Sequence, residues 1–146
     1  MKRFFLVFAL WAGGVCAHDY TTGTITVDHP FIFASPGPTA AGYRTLTPIG
    51  DNDRLIAVTS PRATATLHKT ITDGAVVKMR AAGVLDITKD APLTFAPGGL
   101  HIMFTGLSGQ LHDGDTVPAT LVFETSGPLD VVFNVDPRKA IDHANH

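Results

Sequence analysis

Four side chains in this chain could hold a soft metal ion: His68, Met79, His101 and Met103, spaced His, ten residues, Met, twenty-one residues, His, one residue, Met. In "GGLHIMF" (98–104), alternate residues of an extended chain share a face, so His101 and Met103 point one way and Ile102 and Phe104 the other. Upstream, "ATLHKTITDGAVVKMRA" (65–81) reads as a hairpin turning at Asp73-Gly74, a dipeptide suited to two central positions of positive φ. That turn pairs residues whose numbers sum to 147 and sets His68 directly opposite Met79. Each half of the pattern thus offers one imidazole and one thioether. Thioethers are neutral and soft, and among biological metals they select Cu(I) over Zn(II), Fe(II) or Mg(II). Such a site leaves a net positive complex, better suited to a shallow position than to a dry core.

The elements that must position these residues read as short β-branched or alternating runs separated by turn residues. "TGTITVDHP" is a first strand ended by Pro30, "SPGPTA" a loop and "GYRTLTPIG" a second strand. Further strands are expected in "RLIAV", on both sides of the 73–74 turn, and in "VLDIT", "LHIMF", "TVPATLVFET" and "LDVVFNV". Nothing carries the period of a long amphipathic helix. Eight to ten strands at this spacing predict a single all-β domain, an antiparallel sandwich or Greek-key barrel. Gly98-Gly99 would let the chain turn so that the "LHIMF" strand meets the hairpin.

Residues 1–17, "MKRFFLVFALWAGGVCA", have a basic start, an apolar stretch and a small-residue exit, the pattern of a secretory signal cleaved after Ala17. The apolar run is shorter than the roughly 20 residues that cross a bilayer, so a soluble exported domain without membrane insertion is expected. Cys16 is preceded by Val15, where lipid attachment wants a small residue, and is expected to leave with the signal. The remaining chain then lacks cysteine, which excludes both a disulfide and the thiolate a blue-copper centre needs. It also keeps only two methionines, Met79 and Met103, both in the pattern above. With Lys2 and Arg3 gone, 9 basic residues face 13 acidic ones, a net charge of −4 that argues against nucleic acid or anionic lipid as main partner. The expected organisation is a signal (1–17), a domain (18–136) and a polar tail (137–146).

The four-residue spacing, with "DGAVVKMR", "GGLHIMFTGL", "DGDTV" and "LVFETSGPLDVVF", resembles the periplasmic copper-chaperone family PCuAC over residues 23–136. The resemblance implies a cupredoxin-like β-barrel in the periplasm that binds Cu(I) through His68, Met79, His101 and Met103. It further implies a chaperone, not an enzyme, that passes copper to an acceptor such as cytochrome c oxidase subunit II, with a thiol-bearing assembly factor as a second partner. Relatives commonly carry Trp where Phe31 stands in "DHPF", a packing position near or below the site. Accessory Cu(II) binding is expected at the termini, by the His18 imidazole with its freed amine or by His143 and His146 in the tail. His29, before Pro30, reads as structural, and His112 as a solvated loop residue. Competing readings are copper sequestration for tolerance, a copper oxidase built around an N-terminal His18, and a metal-free binding module. No nucleophile–base pair, phosphate loop or carboxylate dyad rises above background.

Overall fold

The computed structural model describes residues 19–137, all β and without helices among them. The strands are β1 (Tyr20–Thr22), β2 (Ile25–Phe33), β3 (Ala40–Pro48), β4 (Asp53–Thr59), β5 (Thr64–Asp73) and β6 (Val76–Ala81), followed by β7 (Leu85–Ile87), β8 (Leu93–Phe95), β9 (Leu100–Thr105), β10 (Thr116–Phe123) and β11 (Gly127–Asp136). They form one sheet in the order β6-β5-β9-β8-β3-β2-β11-β10-β4-β7, with β1 added on β2 and a further β9–β3 pairing. The sheet curls until β4 and β5, near its opposite ends, face each other across a groove. This is the single all-β domain expected, with eleven strands rather than eight to ten, because three-residue pieces such as β1 and β8 are too short to show a period.

Alternation builds the interior. β3 buries Ala40, Gly42, Arg44 and Leu46, while β10 buries Val117, Ala119, Leu121 and Phe123. Together with Ile25, Val27, Ile32, Phe95, Phe104 and Phe133, these side chains fill one core. At Gly42 the fit admits no side chain: a Cβ would lie 2.8 Å from Phe104 and 3.0 Å from Phe133. These two rings meet edge-on at 5.3 Å against that bare backbone.

Two local expectations are corrected. Pro30 does not end the first strand: β2 runs through it by way of a bulge between Asp28 and Phe31, with His29 at φ 30°. The bulge interrupts the ladder where proline has no N–H to give, so the strand resumes and pairs Phe31 with Tyr43. The β5–β6 turn is Gly74-Ala75 rather than Asp73-Gly74, since Asp73 pairs with Val76. Positive φ is needed only at Gly74, at +61°, as in the Gly-X turn that has glycine at its first central position. Partner numbers therefore sum to 149, and Met79 lies opposite Thr70 instead of His68. A two-residue slip keeps every side chain on its face, whereas a one-residue slip would have reversed them all.

Asp53, buried at the start of β4, ties that strand to the β10–β11 turn. Its Oδ1 accepts from the backbone N–H groups of Arg54 (2.8 Å) and Thr125 (2.9 Å), and its Oδ2 from that of Ser126 (2.9 Å). Burial works to raise its pKa, but the hydrogen bonds from the Ser126 side chain and these backbone groups outweigh it and hold the carboxyl below its usual value. The folded state therefore prefers the carboxylate, and that stabilisation is present above the unfolded pKa of about 3.9 and lost as pH falls through the folded value. Asp53→Asn, which turns an amide N–H toward a backbone N–H, should cost about 2 kcal/mol or more at neutral pH in urea unfolding. The gap between variant and wild type should close as the pH falls below about 4.

Candidate metal centre

β5 lies between β6 and β9, and this three-strand segment carries all four predicted residues on one face. His68 and His101 are direct cross-strand partners, their rings edge-on with centroids 5.9 Å apart. Met103 follows two residues after His101 on the same strand, opposite Thr66. Met79, opposite Thr70, is diagonal to His68, a separation of about 7–8 Å that a long thioether can span. Where β5 pairs with β9 the opposite face is core, with Leu67 across from Ile102, whereas on β6 it is exposed.

The two imidazoles are held by different means. A carbonyl oxygen only accepts, so the 3.1 Å contact between His101 Nδ1 and the Gly99 oxygen places the proton on Nδ1. The neutral ring then carries its lone pair on Nε2, which is buried and has no hydrogen-bond partner. His68 shows the complementary pattern: Nε2 lies 3.2 Å from the Thr66 hydroxyl, and Nδ1 is buried and unpartnered. Two unpartnered buried nitrogens on adjacent rings are costly in an apolar surrounding, and a metal ion would satisfy both. Hydrogen bonds at the remaining nitrogens are what orient histidine ligands in metal sites.

Gly99 explains the expected role of the glycine pair. Gly98 takes φ +82°, and the Gly99 carbonyl then accepts from both the Thr70 backbone N–H at 3.1 Å and His101. One carbonyl thus ties β5 to the approach of β9 and sets the His101 ring. Thr66 was legible in principle, since in "ATATLHKT" it shares the His68 face, but its role needs the contact to be seen.

The site is graded in exposure. His101 is 3 % exposed, His68 and Met103 are half-buried, and Met79 on the edge strand is 58 % exposed. No group of three or more His, Cys, Asp or Glu residues that could hold a metal occurs among the described residues, so any ion held by both imidazoles would need the thioethers to complete its ligand set. Through the pairing of Ala41 with Met103, this face continues to an aromatic cluster of Phe31, Phe33 and Tyr43, with centroids 5.3 to 5.9 Å apart. Phe31 is therefore a packing residue beside the site. His29 lies at the β2 bulge, and exposed His112 donates its backbone N–H to Asp115 at 2.8 Å. His18, His143 and His146, with the signal and most of the tail, lie outside the described residues.

Residues 25–135 match the family described as "LpqE-like: Putative lipoprotein LpqE-like". "Putative lipoprotein Lxx21020" of Leifsonia xyli subsp. xyli is 28 % identical over 114 residues, which is 76 % of this chain and 69 % of that protein. Among solved structures, the copper-bound PCuAC domain from PmoF2 is 26 % identical with a TM-score of 0.67, covering 82 % of this chain and 98 % of that one. The apo PCuAC domain from PmoF1 is 25 % identical with a TM-score of 0.69, covering 82 % and 99 %. The Cu(I) form of DR1885 from Deinococcus radiodurans is 28 % identical with a TM-score of 0.60, covering 86 % and 83 %.

Proposed function

The chain belongs to the LpqE-like family, and we propose that it is an exported Cu(I)-binding metallochaperone that holds its cargo with His68, Met79, His101 and Met103. The observation that carries this reading is the pair of buried, unpartnered nitrogens on two facing imidazoles, with two thioethers on the same face. The likeness to a copper-bound PCuAC domain and to the Cu(I) form of DR1885 supports it. The lipoprotein wording of the family and the relative supports an exported, envelope-associated protein. Our finer reading is a periplasmic chain beginning at His18; recovery of a mature form blocked at Cys16 would replace it with a lipid-anchored one.

Release would proceed by ligand exchange. Thioethers carry no proton to lose, so an incoming thiolate or imidazole can replace them one at a time. We take the acceptor to be a copper-site protein such as cytochrome c oxidase subunit II, with a thiol-bearing assembly factor as a further partner and no enzymatic turnover. A second, Cu(II) ion at His18, His143 and His146 is part of the same proposal. Anaerobic competition against a Cu(I) chelator tests the central claim. One Cu(I) per chain is expected, with the Met79→Ala/Met103→Ala protein weaker by at least the roughly 10–100-fold that disturbed ligation costs elsewhere and its unfolding curve unchanged. Equal affinity in the two proteins would remove the assignment. Anaerobic mixing of loaded protein with apo-acceptors then identifies the recipient, and retention of copper against all of them would favour sequestration.

A further inference from the structure

The arm that carries Met79 also carries an unbalanced charge. Residues 19–137 hold 7 basic and 12 acidic side chains, yet residues 64–81 hold three of the basic ones and a single acid. Lys69, Lys78 and Arg80 share the face of the β5–β6 hairpin opposite to Met79, and Lys69 is directly across from Arg80. All three are exposed, and among the described residues no ion pair within 4 Å involves any of them. Asp73, the one carboxylate, stands at the tip on this face, across from Val76. Elsewhere Arg54 is paired with Asp86 (2.9 Å) and Glu124 (3.9 Å), and Arg62 donates to the Thr116 carbonyl. Like charges set directly opposite destabilise a strand pair, and an acid at either position would relieve the repulsion.

Charge on an edge strand discourages unwanted strand pairing, which accounts for Lys78 and Arg80 but not for Lys69, which lies on the inner strand β5. At the foot of the hairpin runs an apolar groove of about 320 Å³ lined by Ile56, Val58, Leu67, Ala81 and Val84, of which Ala81 directly follows Arg80 and Leu67 stands two residues before Lys69 on the same face. Ile56 and Val84 stand open at 42 % and 48 % exposure. Cations bordering an open apolar groove are complementary to a protein surface of acidic and apolar residues, and such complementarity governs encounter rate and partner choice.

We propose that the β5–β6 hairpin is a docking arm that recognises an acidic, partly apolar face of the protein with which copper is exchanged. The identity of the cargo rests on the function proposed above; the charge and shape of the partner do not. The arm thus joins address and cargo: cations on one face meet the partner while Met79, exposed on the other, is the ligand nearest at hand.

The test uses the copper-free full chain, labelled with 15N, and a short peptide of glutamates interspersed with valine. At low ionic strength the peptide should shift the amides of residues 67–71, 78–84 and 56–58, while the same peptide with lysine for glutamate should shift none of them. Raising the salt from about 0.01 M to about 1 M, or the K69E/K78E/R80E exchange, should weaken binding at least about tenfold. Lys69→Glu alone supplies the missing cross-strand partner, so it should unfold at higher temperature while binding the peptide less well. This outcome keeps the test clear of any folding defect. Shifts centred elsewhere, equal shifts with both peptides, or full binding by the triple variant would overturn the proposal. So would sedimentation of the chain with phosphatidylglycerol vesicles while the glutamate peptide leaves the hairpin amides unmoved, since the arm would then address lipid. The copper reading fails separately, by absent Cu(I) binding in a protein whose hairpin still takes the peptide.

Discussion

His101→Ala should lower Cu(I) affinity by more than about 100-fold, beyond the range that loss of an outer-sphere partner costs, and by more than any other single ligand substitution. The reason is the gradient of exposure across the four residues. His101 is 3 % exposed, its proton is held by the Gly99 carbonyl, and its free Nε2 has nowhere else to turn. Met79 is 58 % exposed on an edge strand, so water and an incoming ligand reach it first. Removing His101 takes away the preset donor and leaves the Gly99 oxygen to its bond with Thr70 alone. Removing Met79 takes away a side chain that must give up rotamer freedom to bind. The order of affinity loss, His101 above Met79, is read by anaerobic competition on the two single variants. The same gradient would order release from the proposed site, with Met79 the first ligand displaced and His101 the last. Equal losses would show that the four residues act as interchangeable donors, and the gradient would carry no mechanism.

The sequence reveals the face-sharing of this site more securely than its distances. That His101 and Met103 lie together follows from the two-residue period of a strand alone. That His68 and Met79 share that face survives a mistaken turn, because the real turn, Gly74-Ala75, shifts the register by two and an even shift preserves facing. What the shift changes is who is opposite whom: His68 meets His101 across β5–β9, a pairing between segments that no local turn specifies. The hidden remainder is of the same long-range kind. Asp53 reads as one of two acids in "GDNDRL", and only the arrival of Thr125 and Ser126 makes it a structural anchor. His29-Pro30 reads as a strand end because a bulge has no signature of its own. The eleven-strand order depends on crossings such as β3 to β4 and β9 to β10, where neighbours in sequence part company in the sheet.

Arg44→Met should stabilise the protein by about 1–4 kcal/mol, the range found when buried ionic groups give way to apolar side chains of similar volume. "AAGYRTLTP" places Arg44 among the inward residues of β3, between Gly42 and Leu46 and across from Phe95. It is 2 % exposed, and none of its three guanidinium nitrogens has a hydrogen-bond partner. Its compensation is aromatic: the guanidinium carbon lies 4.8 Å from the Phe133 ring centroid and 5.4 Å from that of Phe95. Two cation–π contacts contribute about 2 kcal/mol or more each when dry, against a desolvation cost of several kcal/mol for the ion. Desolvation wins, and burial lowers the Arg44 pKa to about 9. For a base whose folded pKa lies below its unfolded value, the folded state binds fewer protons, so stability rises with pH above the folded value. The penalty is complete below about 9 and relieved above it, so the advantage of Arg44→Met should be largest near neutrality and shrink as the pH climbs past 9. Urea unfolding of both proteins across that interval measures it. A destabilised Met variant would mean that the two rings compensate the charge in full and that Arg44, seated where bare Gly42 lets Phe133 close in, is what holds those rings in place.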